Sequence, residues 1–205
     1  MTNWCSTTYS FDFPSSKEAE SFEEKIRKWL ADDPIKNGFQ SQWLGSILFH
    51  AGLATVNGDE FNTAYECCGS VCGIERTGKV LKIDTDTAWH PMNEMWTAIF
   101  QQLNLTPQCR YVATEPECGI FVSNDPDLYG HYIVDVWDAD KTIRQTMWEI
   151  FGDSDYVIAD EMDLVLFLRR ALNSQNVDLN ALLKQFTESD ISDNLSINLI
   201  EESEF

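Results

Sequence analysis

From Trp4 to Phe13 the chain alternates at period two. Cys5, Thr7, Tyr9, Phe11 and Phe13 point one way and smaller polar residues the other, which predicts a strand. Pro14 ends it. Ser15 followed by Glu18 makes a capping box, and Phe22, Ile26, Trp29 and Leu30 then recur at helical spacing. Residues 32–66 read as an insertion, with turns at Asp33-Pro34 and Asn37-Gly38. Within it a short helix over Gln40–His50 turns Trp43, Leu44, Ile47 and Leu48 inward, and Gly52 and Asn57-Gly58 break the pattern. Ser70–Arg76 and Lys79–Thr87 are strand candidates joined by a tight turn at Thr77-Gly78. Trp89-His90-Pro91 opens the next helix, in which Met92, Met95, Trp96, Ile99, Phe100 and Leu103 form an apolar stripe. Strands follow at Gln108–Thr114 and Cys118–Asn124.

The resulting order, β-α-(insert)-β-β-α-β, predicts an α+β fold of ferredoxin-like type: an antiparallel sheet with two helices on one face. Beyond it, Gly130–Trp137 reads as one more strand. Asp140–Phe151, Glu161–Asn173 and Asp178–Glu188 read as helices, with Asp178 as an N-cap, and Asp190–Phe205 as a short docked element or a frayed tail. The expected organisation is therefore a ferredoxin-like domain over 1–137, carrying the insertion at 32–66, and an acidic helical extension over 138–205.

Composition narrows the class. The 205 residues are 43% hydrophobic and 12% aromatic, enough for a packed core, but 34 acidic residues face 14 basic ones for a net charge of −20. Such a surface repels phosphate, so neither nucleic acid nor an anionic membrane is expected as a direct ligand. No apolar run approaches the roughly 20 residues of a bilayer span. Met1-Thr2-Asn3-Trp4 lacks the features of a signal peptide, so a cytoplasmic protein is expected. The six cysteines then read as free thiols. Cys67, Cys68 and Cys72 form a C-C-x3-C cluster that only loosely resembles a zinc site, and no metal or other cofactor is expected.

Three stretches carry a resemblance. Met1-Thr2-Asn3-Trp4-Cys5-Ser6, Asp86-Thr87-Ala88-Trp89-His90-Pro91 and Tyr111–Phe121 (YVATEPECGIF) together resemble, in order and spacing, the YubB-like family of ferredoxin-like proteins of plasmids, phages and gut bacteria. The resemblance covers about residues 1–137 and implies a fold and a genomic setting. It supplies no chemistry, and the matching Trp4 and Trp89 read as core anchors and Glu115 as a turn or ion-pair residue.

Enzyme motifs are absent: no phosphate-binding glycine loop, nucleophile elbow or metalloprotease helix occurs. The best catalytic constellation is Asp84, Asp86 and His90, two carboxylates on one strand face beside a base, with Glu115 as a further acid. RNA binding on the sheet face would need exposed aromatics among basic residues. Tyr9, Phe11, Tyr111 and Phe121 stand with only Arg76, Lys79, Lys82 and Arg110 for charge. The acidity itself is uneven: residues 1–125 hold 17 acids and 9 bases, residues 126–205 hold 17 acids and 5 bases. Asp153, Asp155, Asp160, Glu161 and Asp163 crowd around one helix start.

The expected function is that of a non-enzymatic mobile-element protein. It would inhibit a nucleic-acid-binding host defence complex, of anti-CRISPR or anti-restriction type, through an acidic surface that imitates nucleic acid. Its expected partner is a protein with a basic nucleic-acid-binding surface, met at Asp153, Asp155, Asp160, Glu161 and Asp163. The alternative is a small-molecule-binding or enzymatic domain using Asp84, Asp86, His90 and Glu115.

Overall fold

The computed structural model describes residues 3–32, 42–58, 60–116 and 118–205. The chain divides into two units, residues 1–125 with Ser203–Phe205, and Pro126–Glu202.

In unit 1, β1 (Trp4–Asp12) leads to α1 (Ser16–Ala31), α2 (Leu44–His50), β2 (Ala54–Asn57), β3 (Glu60–Thr63), β4 (Gly69–Thr77), β5 (Val80–Ala88), α3 (Asn93–Gln102), β6 (Gln108–Glu115) and β7 (Ile120–Ser123). The main sheet runs β7-β6-β1-β5-β4, with every one of these neighbours antiparallel. β1 is central because its inward face is continuous: Cys5, Thr7, Tyr9 and Phe11, then Phe13, are all buried. α1 adds Phe22, Ile26 and Leu30 to this core, and α3 adds Met95, Trp96, Ile99 and Phe100. Phe11 lies 4.8 Å from Phe100 and 5.3 Å from Trp96 between ring centroids, and Phe22 lies 5.3 Å from Phe100, so both helices cover the same face. The N-cap expected at Ser15 forms, with Ser15 Oγ accepting from the Glu18 N–H at 3.2 Å. At Gly69 an added Cβ would lie 2.3 Å from the Asp86 carbonyl oxygen, so the close approach of β4 to β5 there requires glycine.

Several expectations change. The insertion carries a hairpin, β2 paired with β3, that alternation over two four-residue arms does not announce. The turns expected at 33–34 and 37–38 lie outside the described residues. α3 starts at Asn93 rather than at Pro91, because Trp89 takes a left-handed backbone (φ 73°) that no helix accommodates. Tyr9, Phe11 and Tyr111 are buried under the helices, since strand parity places them opposite the open face.

Unit 2 holds β8 (Tyr132–Val136), α4 (Lys141–Phe151), β9 (Tyr156–Ala159), α5 (Glu161–Ala171), α6 (Leu179–Thr187), a 3-10 turn at Asp190–Asp193 and β10 (Leu195–Leu199). The antiparallel order is β10-β8-β9, and Val134, Val136, Met147, Leu164, Phe167, Leu182 and Leu195 form a separate core. Two expectations are corrected here. The boundary falls after Asp125, not 137, because β8 finds its partners in β9 and β10. The C-terminal region is also α+β, not helical, since β9 and β10 join it. Each of its helices is capped by an aspartate: Asp140 accepts from the Thr142 N–H at 2.7 Å, Asp160 from Asp163 at 2.8 Å and Asp178 from Ala181 at 3.0 Å.

One ion-pair clamp ties α1 to β4. Arg76 Nε donates to Glu23 Oε2 at 2.7 Å, Arg27 Nε donates to Glu23 Oε1 at 3.0 Å, and Arg27 Nη2 reaches the Ile74 carbonyl at 2.9 Å. Partial burial raises the Glu23 carboxyl, but the hydrogen bonds from Arg76 and Arg27 outweigh it and hold it below the usual carboxylate range. A carboxyl so lowered stabilises the fold above its unfolded pKa, and that contribution disappears as pH falls through the lowered value. Glu23→Gln is expected to reduce unfolding free energy by about 1 kcal/mol at neutral pH. The gap from the parent closes as pH falls through the lowered value; urea denaturation at neutral and at acid pH measures it.

Candidate functional site

The three stretches that carry the family resemblance meet at one end of the unit 1 sheet. Trp4 pairs with Ala88 and Cys5 with Thr87, while Ser6 pairs with Thr114 on the other side. The Trp89 N–H donates to the Asn3 carbonyl at 3.0 Å, and Asn3 Nδ2 donates to Cys118 Sγ at 3.3 Å. Glu115 is buried to 1% exposure and accepts the Cys118 N–H, so it closes the β6–β7 turn. Trp4 and Trp89 do not anchor the core. They are 50% and 51% exposed, because Trp4 sits on the open face of β1 and Trp89 beyond the last residue of β5.

The proposed acid–base constellation is not assembled. Asp84 and Asp86 lie on the open sheet face, where Thr8 Oγ1 donates to Asp84 and Ser6 Oγ to Asp86, each at 2.7 Å. Glu115 lies on the opposite, helix-covered face. His90 turns elsewhere: its Nε2 is 2.7 Å from Glu66 Oε2 and its Nδ1 is 3.0 Å from the Pro91 carbonyl oxygen. A cleft of about 490 Å³ opens beside the start of α3, lined by Glu66, His90, Asn93 and Glu94 among others. Of the four residues proposed for catalysis only His90 reaches it. Glu66 carried no signal in the sequence, since it stands alone among small and polar neighbours.

The thiols are separate. Cys67 is buried, whereas Cys68 and Cys72 are exposed, and Cys72 Sγ donates to Asp86 Oδ2 at 3.2 Å. Burial pushes the Cys67 thiol up to about 12 and Cys109 up to about 11, which keeps both protonated at neutral pH. Among the described residues no three His, Cys, Asp or Glu side chains come together to hold a metal ion, so Cys67, Cys68 and Cys72 do not make one site.

In unit 2 the acidic patch has local structural work. Asp153 Oδ1 accepts the N–H groups of Asp155 at 2.9 Å and Tyr156 at 3.4 Å, closing the turn into β9. Asp155 pairs with Arg144, whose guanidinium also donates to the carbonyls of Ala139 at 3.3 Å and Trp137 at 3.4 Å. Asp160 caps α5, and Glu161 and Asp163 fill its first turn, where carboxylates are favoured by the helix dipole. Arg144 thus gathers two chain segments, one bearing Trp137 and the other Asp155 and Tyr156. Trp137 is 55% exposed, Tyr156, which stands opposite Asp135 in the β8–β9 register, is also exposed, and Trp148 and Met162 are exposed on α4 and α5. An arginine clasp behind exposed aromatics was not legible in the chain, because Arg144 and Asp155 are separated by a whole helix.

Comparison with protein-family models, with curated proteins and with solved structures returns no match to this chain. No helix of the described residues is long and apolar enough to cross a membrane.

Two outcomes check this geometry. Alkylation of the native protein at neutral pH is expected to modify Cys68 and Cys118 first, and Cys5, Cys67 and Cys109 only after unfolding, as mass spectrometry would read. Arg144→Ala is expected to cost about 1–2 kcal/mol of unit 2 stability and to raise hydrogen exchange at residues 153–157.

Proposed function

We propose that the chain is a non-enzymatic interaction protein whose partner presents a basic, nucleic-acid-binding surface. A host defence complex is the kind of partner that would be inhibited by an acidic surface taking the place of DNA or RNA. The observation that carries this reading is that unit 2 exposes four large hydrophobic side chains, Trp137, Tyr156, Trp148 and Met162, on a strongly acidic unit. Large exposed aromatics rimmed by charge are the usual make-up of a protein-binding hot spot. The carboxylates add long-range attraction for a cationic partner. Residues 126–202 hold 16 acidic and 5 basic residues, and of the bases Arg144 and Arg170 are paired within the unit, to Asp155 and Glu149. Asp84 and Asp86 share the open sheet face, whereas His90 and Glu115 lie away from them, so this reading is preferred to the enzymatic alternative.

Unit 1 we read as a ferredoxin-like domain of the YubB-like kind. Its support is the antiparallel order β6-β1-β5-β4 with α1 and α3 on one face, and the meeting of the three resembling stretches at one sheet end. The open face of that sheet carries Ser6, Thr8, Ser10, Asp84 and Asp86 beside Trp4 and Phe121, a largely polar, acid-bearing surface that differs from the basic, ring-lined sheet of an RNA-binding domain.

Binding to a panel of CRISPR effectors and restriction enzymes, each with and without its nucleic acid, tests the reading. The expected result is association that competes with nucleic acid and weakens about tenfold between about 0.05 and 0.5 M salt. The double variant Asp160→Asn, Glu161→Lys keeps an N-cap while removing charge. It is expected to bind about three- to tenfold more weakly, with only a small loss of thermal stability from the helix-dipole interaction. Association that ignores both salt and nucleic acid would sink the proposal.

A further inference from the structure

The cleft of about 490 Å³ beside the start of α3 lies wholly in unit 1. One wall is the link from β3 to β4, which hydrogen bonds to its main chain hold in place. The Tyr65 N–H donates to Thr63 Oγ1 at 3.2 Å, Trp43 Nε1 donates to the Cys67 carbonyl at 3.1 Å, and the Ala88 N–H donates to the Cys68 carbonyl at 2.8 Å. Glu66 stands between these fixed points, and His90 Nε2 lies 2.7 Å from its Oε2. The other wall is α3 and the residues leading into it, where Met92 and Met95 are buried, Asn93 is partly buried and Glu94 is exposed.

Acceptors outnumber donors in this wall. Asn93 Nδ2 donates to the Glu204 carbonyl at 3.4 Å, and Thr97 Oγ1 gives its hydrogen to the Asn93 carbonyl at 3.0 Å. Asn93 Oδ1, by contrast, is buried with no hydrogen-bond partner among the described residues, and such an orphaned acceptor calls for a donor from outside the chain. Glu94 makes no ion pair among the described residues, and Glu66 has a second oxygen beyond the one that faces His90. Two carboxylates exceed an imidazolium at His90 together with the roughly half positive unit of the helix start, so the cleft is net negative in either state of that ring. A second cavity of about 330 Å³ shares Asn93 and Glu94 and continues to Thr97, Ala98 and Gln101. From Asn93 to Gln101 the helix rises about 12 Å. The two cavities therefore follow α3 as a trough, and each has the volume of a small-molecule site.

We propose that this trough binds a linear aliphatic polyamine. One ammonium group sits at Glu66, Glu94 and Asn93, and brings the donors these acceptors lack. The methylene chain runs past Met95 and Ala98, and the next ammonium group meets Thr97 Oγ1 and the amide oxygen of Gln101. The length of the trough selects a chain with more than one ammonium group over a single amine. A bare metal ion fits less well, because among the described residues no three His, Cys, Asp or Glu side chains come together to hold one. An anion is repelled by both carboxylates. Occupancy of the trough is independent of what unit 2 binds.

Calorimetric titration of the full chain with spermidine tests this, at about 0.15 M salt, where diffuse attraction to exposed carboxylates is largely screened. Saturable binding of one molecule per chain is expected. Glu66→Gln and Glu94→Gln each remove one charged acceptor and are expected to weaken it about five- to tenfold. Both side chains are exposed, so thermal unfolding of the two variants should match the parent and the affinities stay comparable. The double variant Asp190→Asn, Asp193→Asn removes two exposed charges from unit 2 and is expected to leave the affinity within about twofold of the parent. Butylamine, with one ammonium group, is expected to bind at least about tenfold more weakly than spermidine. No saturable binding, several equivalent sites per chain, or the same loss in the unit 2 variant as in the glutamate variants would overturn the proposal. Butylamine binding as tightly as spermidine would overturn the polyamine assignment.

Discussion

The burial of one face of β1 is the constraint on which unit 1 rests. Cys5, Thr7, Tyr9 and Phe11 are all inside, and the two rings face Trp96 and Phe100 of α3. Fully burying such a side chain is worth about 2–3 kcal/mol each, and a slip of one residue would exchange the set for Ser6, Thr8 and Ser10. The registers with β5 and β6 follow, because Ile83 and Tyr111 must stand opposite Tyr9 on the same face. Tyr9 also fixes the start of α3. Its hydroxyl accepts the Met92 N–H at 2.8 Å, a donor at the helix start that no side-chain cap satisfies.

The same parity decides what the sheet can do. With Tyr9, Phe11 and Tyr111 inward, the open face holds a row of hydroxyls and two aspartates, each aspartate already accepting a hydrogen bond from its neighbour across the strand. Such a face does not assemble an acid–base pair with His90, which lies past the strand end and pairs with Glu66. Thr87 helps to turn the chain there, donating to the His90 carbonyl at 2.8 Å. The sheet end is therefore built by tight turns among Asn3, Trp89, Glu115 and Cys118, which leaves the two tryptophans outside.

Elements set by local chemistry were legible in the chain, and those set by distant partners were not. The period of β1, the Ser15 N-cap, the stripe of α3 and the Asp178 cap each act within one or two turns, and each appears where the pattern places it. β9 and β10 are short, and β10 draws its place from β8 across some sixty residues of intervening chain. That pairing also moved the unit boundary ahead of β8. Trp4 and Trp89 misled because tryptophan in an alternating or helical pattern reads as core, whereas a left-handed backbone at Trp89 is invisible until the turn is seen. Phe205 misled in the opposite sense, an isolated ring in an acidic tail that proves to be part of the aromatic core.

The acidity of unit 2 divides into two populations by this reasoning. Asp140, Asp160 and Asp178 cap helices, Asp153 closes a turn, and Asp155 and Glu149 face arginines; removing any of these would be felt in the fold. Asp138, Glu188, Asp190 and Asp193 are exposed and make no ion pair among the described residues, so their side chains contribute repulsion within the unit and little else. Carboxylates of the first kind explain themselves. Those of the second kind, set on the same unit as Trp137, Trp148 and Met162, gain a favourable interaction only from outside the unit. Their charge fixes the sign of whatever supplies it, and the exposed rings give it something apolar to cover.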